Sequence, residues 1–164
     1  MPAATHSICA ELASLLSAHA WLLTTAESCT GGQIAAACTD LSGSSTWFDR
    51  GFVTYSNEAK CEMLAVDSNL IARHGAVSQE VALAMATGAL EHSDAQVSIA
   101  VTGVAGPTGG SDVKPVGTVW FAWSTPAGTH AECVRFAGDR AEVRNAATLH
   151  ALRVLRDRIQ NTTA

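Results

Sequence analysis

A serine in a glycine-rich turn is the residue in this sequence best placed to do chemistry. Residues 24–32 read Thr-Thr-Ala-Glu-Ser-Cys-Thr-Gly-Gly, between an apolar run and a helical stretch. Thr30 and Gln33 have the spacing of a capping box, which predicts a helix that begins at Gly31. Ser28 then lies on a turn before a helix, where free backbone amides stabilise developing negative charge. The alternative is a glycine-rich turn whose Ser and Thr only cap the helix.

A lysine near the start of a second helix is a candidate general base. Ser56 is predicted to cap a helix over 57–64, which places Lys60 near the positive end of that helix. The field there lowers the pKa of an amine from its reference of about 10.4, and a neutral lysine beside a serine is a workable general base. The alternative is a solvated surface lysine. Tyr55, the only tyrosine, either donates a hydrogen bond in the same pocket or packs at the end of a strand.

Cys29 is a rival nucleophile, because a helix N-terminus also lowers the pKa of a thiol. Neighbouring residues on a turn point in different directions, so only one of Ser28 and Cys29 is expected to face a pocket. The residue types by themselves leave this choice open.

Two further segments are candidates for holding a ligand. The glycine-rich loop 102–110 follows a buried strand, where α/β sheets form ligand crevices, and its amides suit a phosphate. It lacks the P-loop and GxGxxG patterns, so a flexible connection is the alternative. Arg140 and Arg144 are one turn apart at the start of the last helix, where their charge opposes the helix dipole. A bound anion explains this placement, and ion pairs with Asp139 or Glu142 are the alternative.

Periodicity predicts the elements that position these residues. Helices are expected over 6–19, 31–38, 57–64, 79–91 (capped by Ser78) and from a cap at Asp139 and Glu142 to about Ile159. Strands are expected over 21–26, 52–55, 97–102, 116–124 and 130–136. The last two strands form a hairpin around 126–128, and the mixture of helices and strands predicts a three-layer α/β domain with a mixed sheet.

Composition limits the classes of function. A chain of 164 residues suits one domain, and its 48% of apolar residues can fill a core. The net charge of −5 provides no overall basic surface for nucleic acid. Five cysteines and six histidines without CxxC or HxxxH pairs indicate neither a disulfide framework nor a metal site. Because no secretory signal or membrane span is visible, we expect a cytoplasmic protein without membrane partners.

Five motifs in this order closely resemble the C-terminal domain of the competence/damage-inducible protein CinA. They are Thr-Ala-Glu-Ser-Cys-Thr-Gly-Gly (25–32), Tyr-Ser-Asn-Glu-Ala-Lys (55–60), His-Gly-Ala-Val-Ser (74–78), the loop 101–110 and Lys-Pro-Val-Gly-Thr-Val (114–119). The similarity extends roughly from residue 12 to 155. The family includes the stand-alone nicotinamide-nucleotide amidohydrolases, or NMN deamidases, and its longer members carry an N-terminal domain that this chain is expected to lack. The resemblance implies one amidohydrolase domain over 1–164, a three-layer α/β/α sandwich with a mixed, mostly parallel sheet.

The resemblance also implies an activity and the residues that carry it. The implied activity is that of a serine amidohydrolase. Ser28 is the implied nucleophile, in preference to Cys29, and Lys60 is its base. The implied reaction converts the carboxamide of nicotinamide mononucleotide (NMN) to nicotinic acid mononucleotide and ammonia, in pyridine nucleotide salvage, with no cofactor or metal. The alternatives are an amidase for another small amide and a non-catalytic nucleotide-binding or partner-binding protein linked to competence or DNA damage. A homodimer or larger homo-oligomer is expected from the resemblance.

Tyr55, Thr102 and Arg144 are implied to line the substrate site. The turn after Ser28, the glycine-rich loop and the second arginine contribute further residues. The full set of expected substrate-binding residues is Tyr55, Thr30, Gly31, Gly32, Thr102, Gly103, Arg140 and Arg144. The two arginines are expected to bind the phosphate of the substrate. Trp47 and Phe48 are expected to shape the mouth of the pocket.

Overall fold

A computed structural model describes residues 2–162 of the chain; Met1, Thr163 and Ala164 of the expected 1–164 domain lie outside the described residues. The strands are β1 (Leu23–Glu27), β2 (Phe48–Val53), β3 (Val97–Gly103), β4 (Thr118–Thr125) and β5 (Gly128–Arg135). They form one sheet in the order β2-β1-β3-β4-β5. β1 pairs in parallel with β2 and β3, whereas β4 runs antiparallel to β3 and β5. The predicted mixed sheet is confirmed, and four of its five strands point the same way.

Helices cover both faces of this sheet. They are α1 (Ala3–Ala18), α2 (Gln33–Thr39), α3 (Asn57–Leu64), α4 (Ser68–His74), α5 (Gln79–Glu91) and α6 (Arg140–Thr162), with a short 3₁₀ turn at Ser44–Thr46. Buried residues of α1, α2 and α6 form one core on the sheet, and those of α3, α4 and α5 form the other. The predicted three-layer α/β/α arrangement is therefore confirmed. Within residues 2–162, no helix combines the length and apolarity that crossing a membrane requires.

The two faces of the sheet differ in the size of their side chains. In β3, Val97, Ile99 and Val101 belong to the core under α1 and α6, and Ala100 belongs to the core under α5. This is the period-two alternation of a strand. The small side chain on the second face lets α5 lie close to the sheet.

The parallel strands bring three loops together. Glu27, the last residue of β1, pairs with Val53 of β2 and Val101 of β3. The carboxyl ends of these three strands therefore meet at one edge of the sheet, the usual position of ligand sites in α/β folds. The segments that begin at Ser28 and Thr54, and the end of β3, form this edge.

Most predicted elements are confirmed, but β2 covers Phe48–Val53 and not the predicted 52–55. Ser56 and Ser78 cap α3 and α5 as predicted, by accepting the amides of residues 59 and 81. The predicted capping box at the start of α2 is wrong, because Thr30 donates its hydroxyl to the Glu27 carboxylate and α2 begins at Gln33. The seven-residue helix α4 was not predicted.

The expected role of Trp47 and Phe48 at the mouth of a pocket is wrong. Trp47 is 2% exposed and belongs to the core under α1, α2 and α6. Phe48, the first residue of β2, packs against the same core. Both side chains therefore fill the interior of the domain.

Close packing of α5 on α3 yields a prediction about stability. A Cβ atom at Gly88 would overlap the backbone carbonyl of Leu64. Gly88→Ala should therefore destabilise the fold by about 1–3 kcal/mol, although alanine favours helix more than glycine does. Urea unfolding measures this change, and Thr87→Ala, at an exposed position one residue away, is the matched control. Equal or greater stability of Gly88→Ala would show that the helices can separate without cost.

Candidate active site

Ser28 and Lys60 lie side by side at the edge where the parallel strands end. The Lys60 Nζ atom is 3.1 Å from the Ser28 Oγ atom and donates a hydrogen bond to the Thr54 carbonyl at 2.9 Å. Lys60 is only 1% exposed and Ser28 8% exposed. Because α3 begins shortly after β2 ends, the first turn of α3 places the Lys60 amine beside the turn that contains Ser28.

The Lys60 amine lies in surroundings that disfavour its charge. Burial lowers its pKa below the ordinary 10.5, against weaker opposing effects from the thiols of Cys29 and Cys61. None of the ion pairs within residues 2–162 includes Lys60. The predicted direction is confirmed, but burial, rather than the field of the helix, is its main cause. A neutral amine at this distance can accept the proton of the serine hydroxyl.

The turn that carries Ser28 contains backbone amides that are not used in the main-chain hydrogen bonds of the fold. Gly31 and Gly32 adopt positive φ angles of +60° and +95°, which glycine tolerates without strain. The Gly31 amide donates to the Ser28 carbonyl. In the described part of the chain, the amides of Cys29, Thr30 and Gly32 donate to no backbone carbonyl. The amides of residues 29–32 are expected to stabilise an oxyanion. Of these four residues, Cys29 lines the pocket at Ser28, whereas Thr30 is fully buried.

Cys29 is a poor nucleophile in this environment. Its side chain is 5% exposed, and burial raises the pKa of its thiol to about 11. The expected lowering by a helix N-terminus is therefore wrong, because desolvation of a thiolate outweighs it. Ser28, with its hydroxyl beside an amine, is the better candidate.

A pocket of about 200 Å³ opens at Ser28 and Lys60. It includes four of the expected substrate-binding residues, namely Tyr55, Thr102, Gly103 and Arg140. Its other lining residues are Cys29, Asn57, Ala76, Val77 and Ala105. The expectation that only one of Ser28 and Cys29 faces a pocket is therefore wrong, because both line this one. Sequence reasoning missed Asn57, although it stands beside the predicted cap of α3.

The other expected residues occupy different places. The Thr30 side chain is fully buried, and Gly31 and Gly32 belong to the turn behind the pocket. Thr102 donates its hydroxyl to the Ala76 carbonyl, so it also holds the loop before α5. Arg144 lines a neighbouring pocket.

This second pocket, of about 650 Å³, lies at the start of α6. Arg140 and Ala105 line both pockets, so the two pockets adjoin each other. Arg144 donates to the carbonyls of Cys29 and Thr30, both at 3.0 Å. Arg140 donates to the Gly106 carbonyl at 2.8 Å and to the Tyr55 hydroxyl at 3.0 Å.

Neither arginine has a carboxylate partner in the part of the chain that the structure describes. Asp139 and Glu142 instead accept each other's backbone amide and cap α6, as the sequence predicts. The alternative of local ion pairs is therefore wrong. The charge of Arg140 and Arg144 remains available to an anion in the larger pocket.

Glu27 is a buried carboxylate that the sequence analysis did not select. It is fully buried and accepts hydrogen bonds from the amides of Ile34 and Ala35 and from the hydroxyl of Thr30. A charged residue at the end of an otherwise uncharged, buried strand, next to the nucleophile, was the available signal.

Comparisons with known proteins show the family to which this chain is similar. A family model described as the CinA C-terminal domain matches residues 5–159. Nicotinamide-nucleotide amidohydrolase PncC of Escherichia coli (strain K12) is 51% identical over 156 residues, which cover 93% of each chain. The protein of the same name from Pseudomonas putida is 53% identical over 130 residues, or 79% of this chain and 81% of that one.

A solved structure has the same fold. The competence/damage inducible protein CihA from Agrobacterium tumefaciens matches with a TM-score of 0.92 and 43% sequence identity. The match covers 94% of this chain and 95% of that chain.

Proposed function

The chain belongs to the CinA C-terminal domain family, and from this premise we propose that it hydrolyses the carboxamide of NMN to nicotinic acid mononucleotide and ammonia. It is an enzyme of the amidohydrolase class, like the PncC relatives that are 51% identical to it. The observation that carries the proposed mechanism is the 3.1 Å distance between the buried Lys60 amine and the Ser28 hydroxyl.

The reaction proceeds in two steps. The Ser28 oxygen attacks the amide carbon while the neutral Lys60 amine takes the hydroxyl proton. The amide of Cys29, the residue of this turn that lines the pocket beside Ser28, stabilises the oxyanion of the tetrahedral intermediate. The C–N bond then breaks, and Lys60 returns the proton to the leaving nitrogen as ammonia departs. Water hydrolyses the resulting ester of Ser28 with Lys60 again as base, and this releases the acid.

The two adjoining pockets divide the substrate between them. The smaller pocket at Ser28 receives the pyridine ring and its carboxamide, and the larger pocket receives the ribose phosphate. Arg140 and Arg144 bind the phosphate there with the N–H groups that their present contacts leave free, since a guanidinium has five.

Specific observations weigh against the alternatives. A non-catalytic binding protein has no need to bury a lysine amine against a serine hydroxyl, since burial of an unpaired amine costs stability. An amidase for another small, uncharged amide would leave Arg140 and Arg144 without an anion.

Other parts of the proposal concern the protein as a whole. Residues 1–164 act as one amidohydrolase domain. The reaction takes place in the cytoplasm, where the five cysteines, all free thiols in the structure, remain reduced. A homodimer or larger homo-oligomer and the lack of a nucleic-acid partner stay predictions.

The activity can be tested with purified protein and NMN. Wild-type protein should release ammonia, and Ser28→Ala should abolish the release while the circular dichroism spectrum stays unchanged. Cys29→Ser should retain most of the activity, because the buried thiol does not react. An inactive Cys29→Ser together with an active Ser28→Ala would overturn the assignment of the nucleophile.

The role of Lys60 predicts a pH dependence. Only the neutral amine accepts a proton, so kcat/KM should rise with pH and level off above the lowered pKa of Lys60, below the ordinary 10.5. Lys60→Arg and Lys60→Ala should both lose about 10²–10⁴ in rate, because arginine stays protonated. If Lys60→Arg is active, the site needs positive charge and not a base.

The phosphate contact can be tested by comparing NMN with its dephosphorylated riboside. Arg140→Ala should lower kcat/KM for NMN about 10- to 150-fold more than for the riboside, the loss expected for a charge-assisted hydrogen bond of about 1.5–3 kcal/mol. Arg144→Ala should show the same selectivity and also slow both substrates, because Arg144 holds the turn of Ser28. Equal losses on the two substrates in both variants would exclude a phosphate contact.

A further inference from the structure

Glu27 and Thr30 form a buried hydrogen-bonded pair directly behind the nucleophile. The Thr30 hydroxyl donates to Glu27 Oε1 at 2.7 Å, and both side chains are fully buried. The two residues flank Ser28 and Cys29 in the sequence. Their contact therefore closes the turn across its base.

The same carboxylate also ties this turn to the next helix. Oε1 accepts the amide of Ile34 and Oε2 accepts the amide of Ala35, both at 2.9 Å. No cation pairs with Glu27 within residues 2–162. A buried carboxylate without a cation depends on such donors, so its position is fixed by the turn and by the first residues of α2.

The main chain of Glu27 connects the turn to the base. Its carbonyl accepts the Thr54 amide at 2.9 Å, and the Thr54 carbonyl accepts the Lys60 amine at 2.9 Å. The side chain of Glu27 thus holds the segment of the nucleophile, while its backbone holds the strand end that orients the amine.

We infer that Glu27, through its bond to Thr30, is a positioning residue that sets the distance and direction between the Ser28 hydroxyl and the Lys60 amine. This inference rests on the proposed function only in taking Ser28 as the nucleophile. A displacement of about 1 Å at a reacting group can cost about 10²-fold in rate. Loss of the Glu27–Thr30 hydrogen bond should therefore reduce the reactivity of Ser28 in protein that remains folded.

The test measures the rate at which a serine-directed fluorophosphonate labels Ser28, read by mass spectrometry. Labelling requires an activated serine but no nicotinamide nucleotide, so the result is independent of the assigned substrate. In Glu27→Gln an N–H₂ group replaces one of the two carboxylate oxygens that accept hydrogen bonds. Labelling of Ser28 should then slow about 10- to 100-fold. Rates are expressed per folded protein, measured by circular dichroism.

Thr30 provides a second, milder perturbation in case Glu27→Gln fails to fold. Thr30→Val keeps the shape of the side chain but removes the hydroxyl, and labelling should slow on the order of 10-fold. Thr30→Ser keeps the hydroxyl and should recover most of the rate lost in Thr30→Val. This recovery is not expected if Thr30 only fills space.

A matched control separates positioning from general stability. Asp67 caps α4 through the Asn69 amide, away from the turn, and Asp67→Ala should lower Tm without slowing the labelling. Wild-type labelling rates in folded Glu27→Gln or Thr30→Val would overturn the inference. Slowing of the same size in Asp67→Ala would also overturn it, because loss of stability would then account for the effect.

Discussion

A lysine amine buried without a carboxylate partner is the constraint on which this site depends. An isolated charge inside a protein is costly, so such a group tends to become neutral. Lys60 is 1% exposed, and within residues 2–162 its amine donates to the Ser28 hydroxyl and to backbone carbonyls such as that of Thr54. The cost of burial lowers the pKa of the Lys60 amine and so favours its neutral, basic form, and the rest of the structure must keep the amine in this position.

The fold meets this requirement through the shared edge of its parallel strands. β1 ends at the nucleophile and β2 ends at Thr54, so their pairing fixes the serine relative to the carbonyl that holds the amine. Gly88 of α5 lies close to the Leu64 carbonyl at the end of α3, so α5 packs directly against the helix that carries Lys60. Arg144, which holds the carbonyls of Cys29 and Thr30, fixes the outer side of the nucleophile's turn.

Local patterns in the sequence were sufficient to predict much of this arrangement. Ser56 and Ser78 cap their helices by contacts within three residues, so α3 and α5 could be predicted to their ends. The apolar run of β3 and the hairpin of β4 and β5 are equally local. The resemblance to the family added the pairing of Ser28 with Lys60, which are 32 residues apart.

Features that depend on long-range contacts could not be read in this way. Thr30 and Gln33 have the spacing of a capping box, yet Glu27 of the preceding strand takes the helix amides. The pKa of Cys29 follows its burial and not its place before a helix. Arg144 was expected to bind the phosphate of the substrate, and its contacts with carbonyls more than a hundred residues away were not foreseen. Each of these outcomes depends on tertiary neighbours that spacing does not reveal.

Direct titration of Lys60 is the sharpest test of this account. The chain has only two lysines, Lys60 and Lys114, so ¹³Cε-lysine NMR gives two signals that Lys60→Ala assigns. We predict that the Lys60 signal titrates below the ordinary 10.5, at the same pH at which kcat/KM rises. Titration of Lys60 at or above 10.5, or at a pH unrelated to the rise in rate, would contradict a buried neutral lysine as the base.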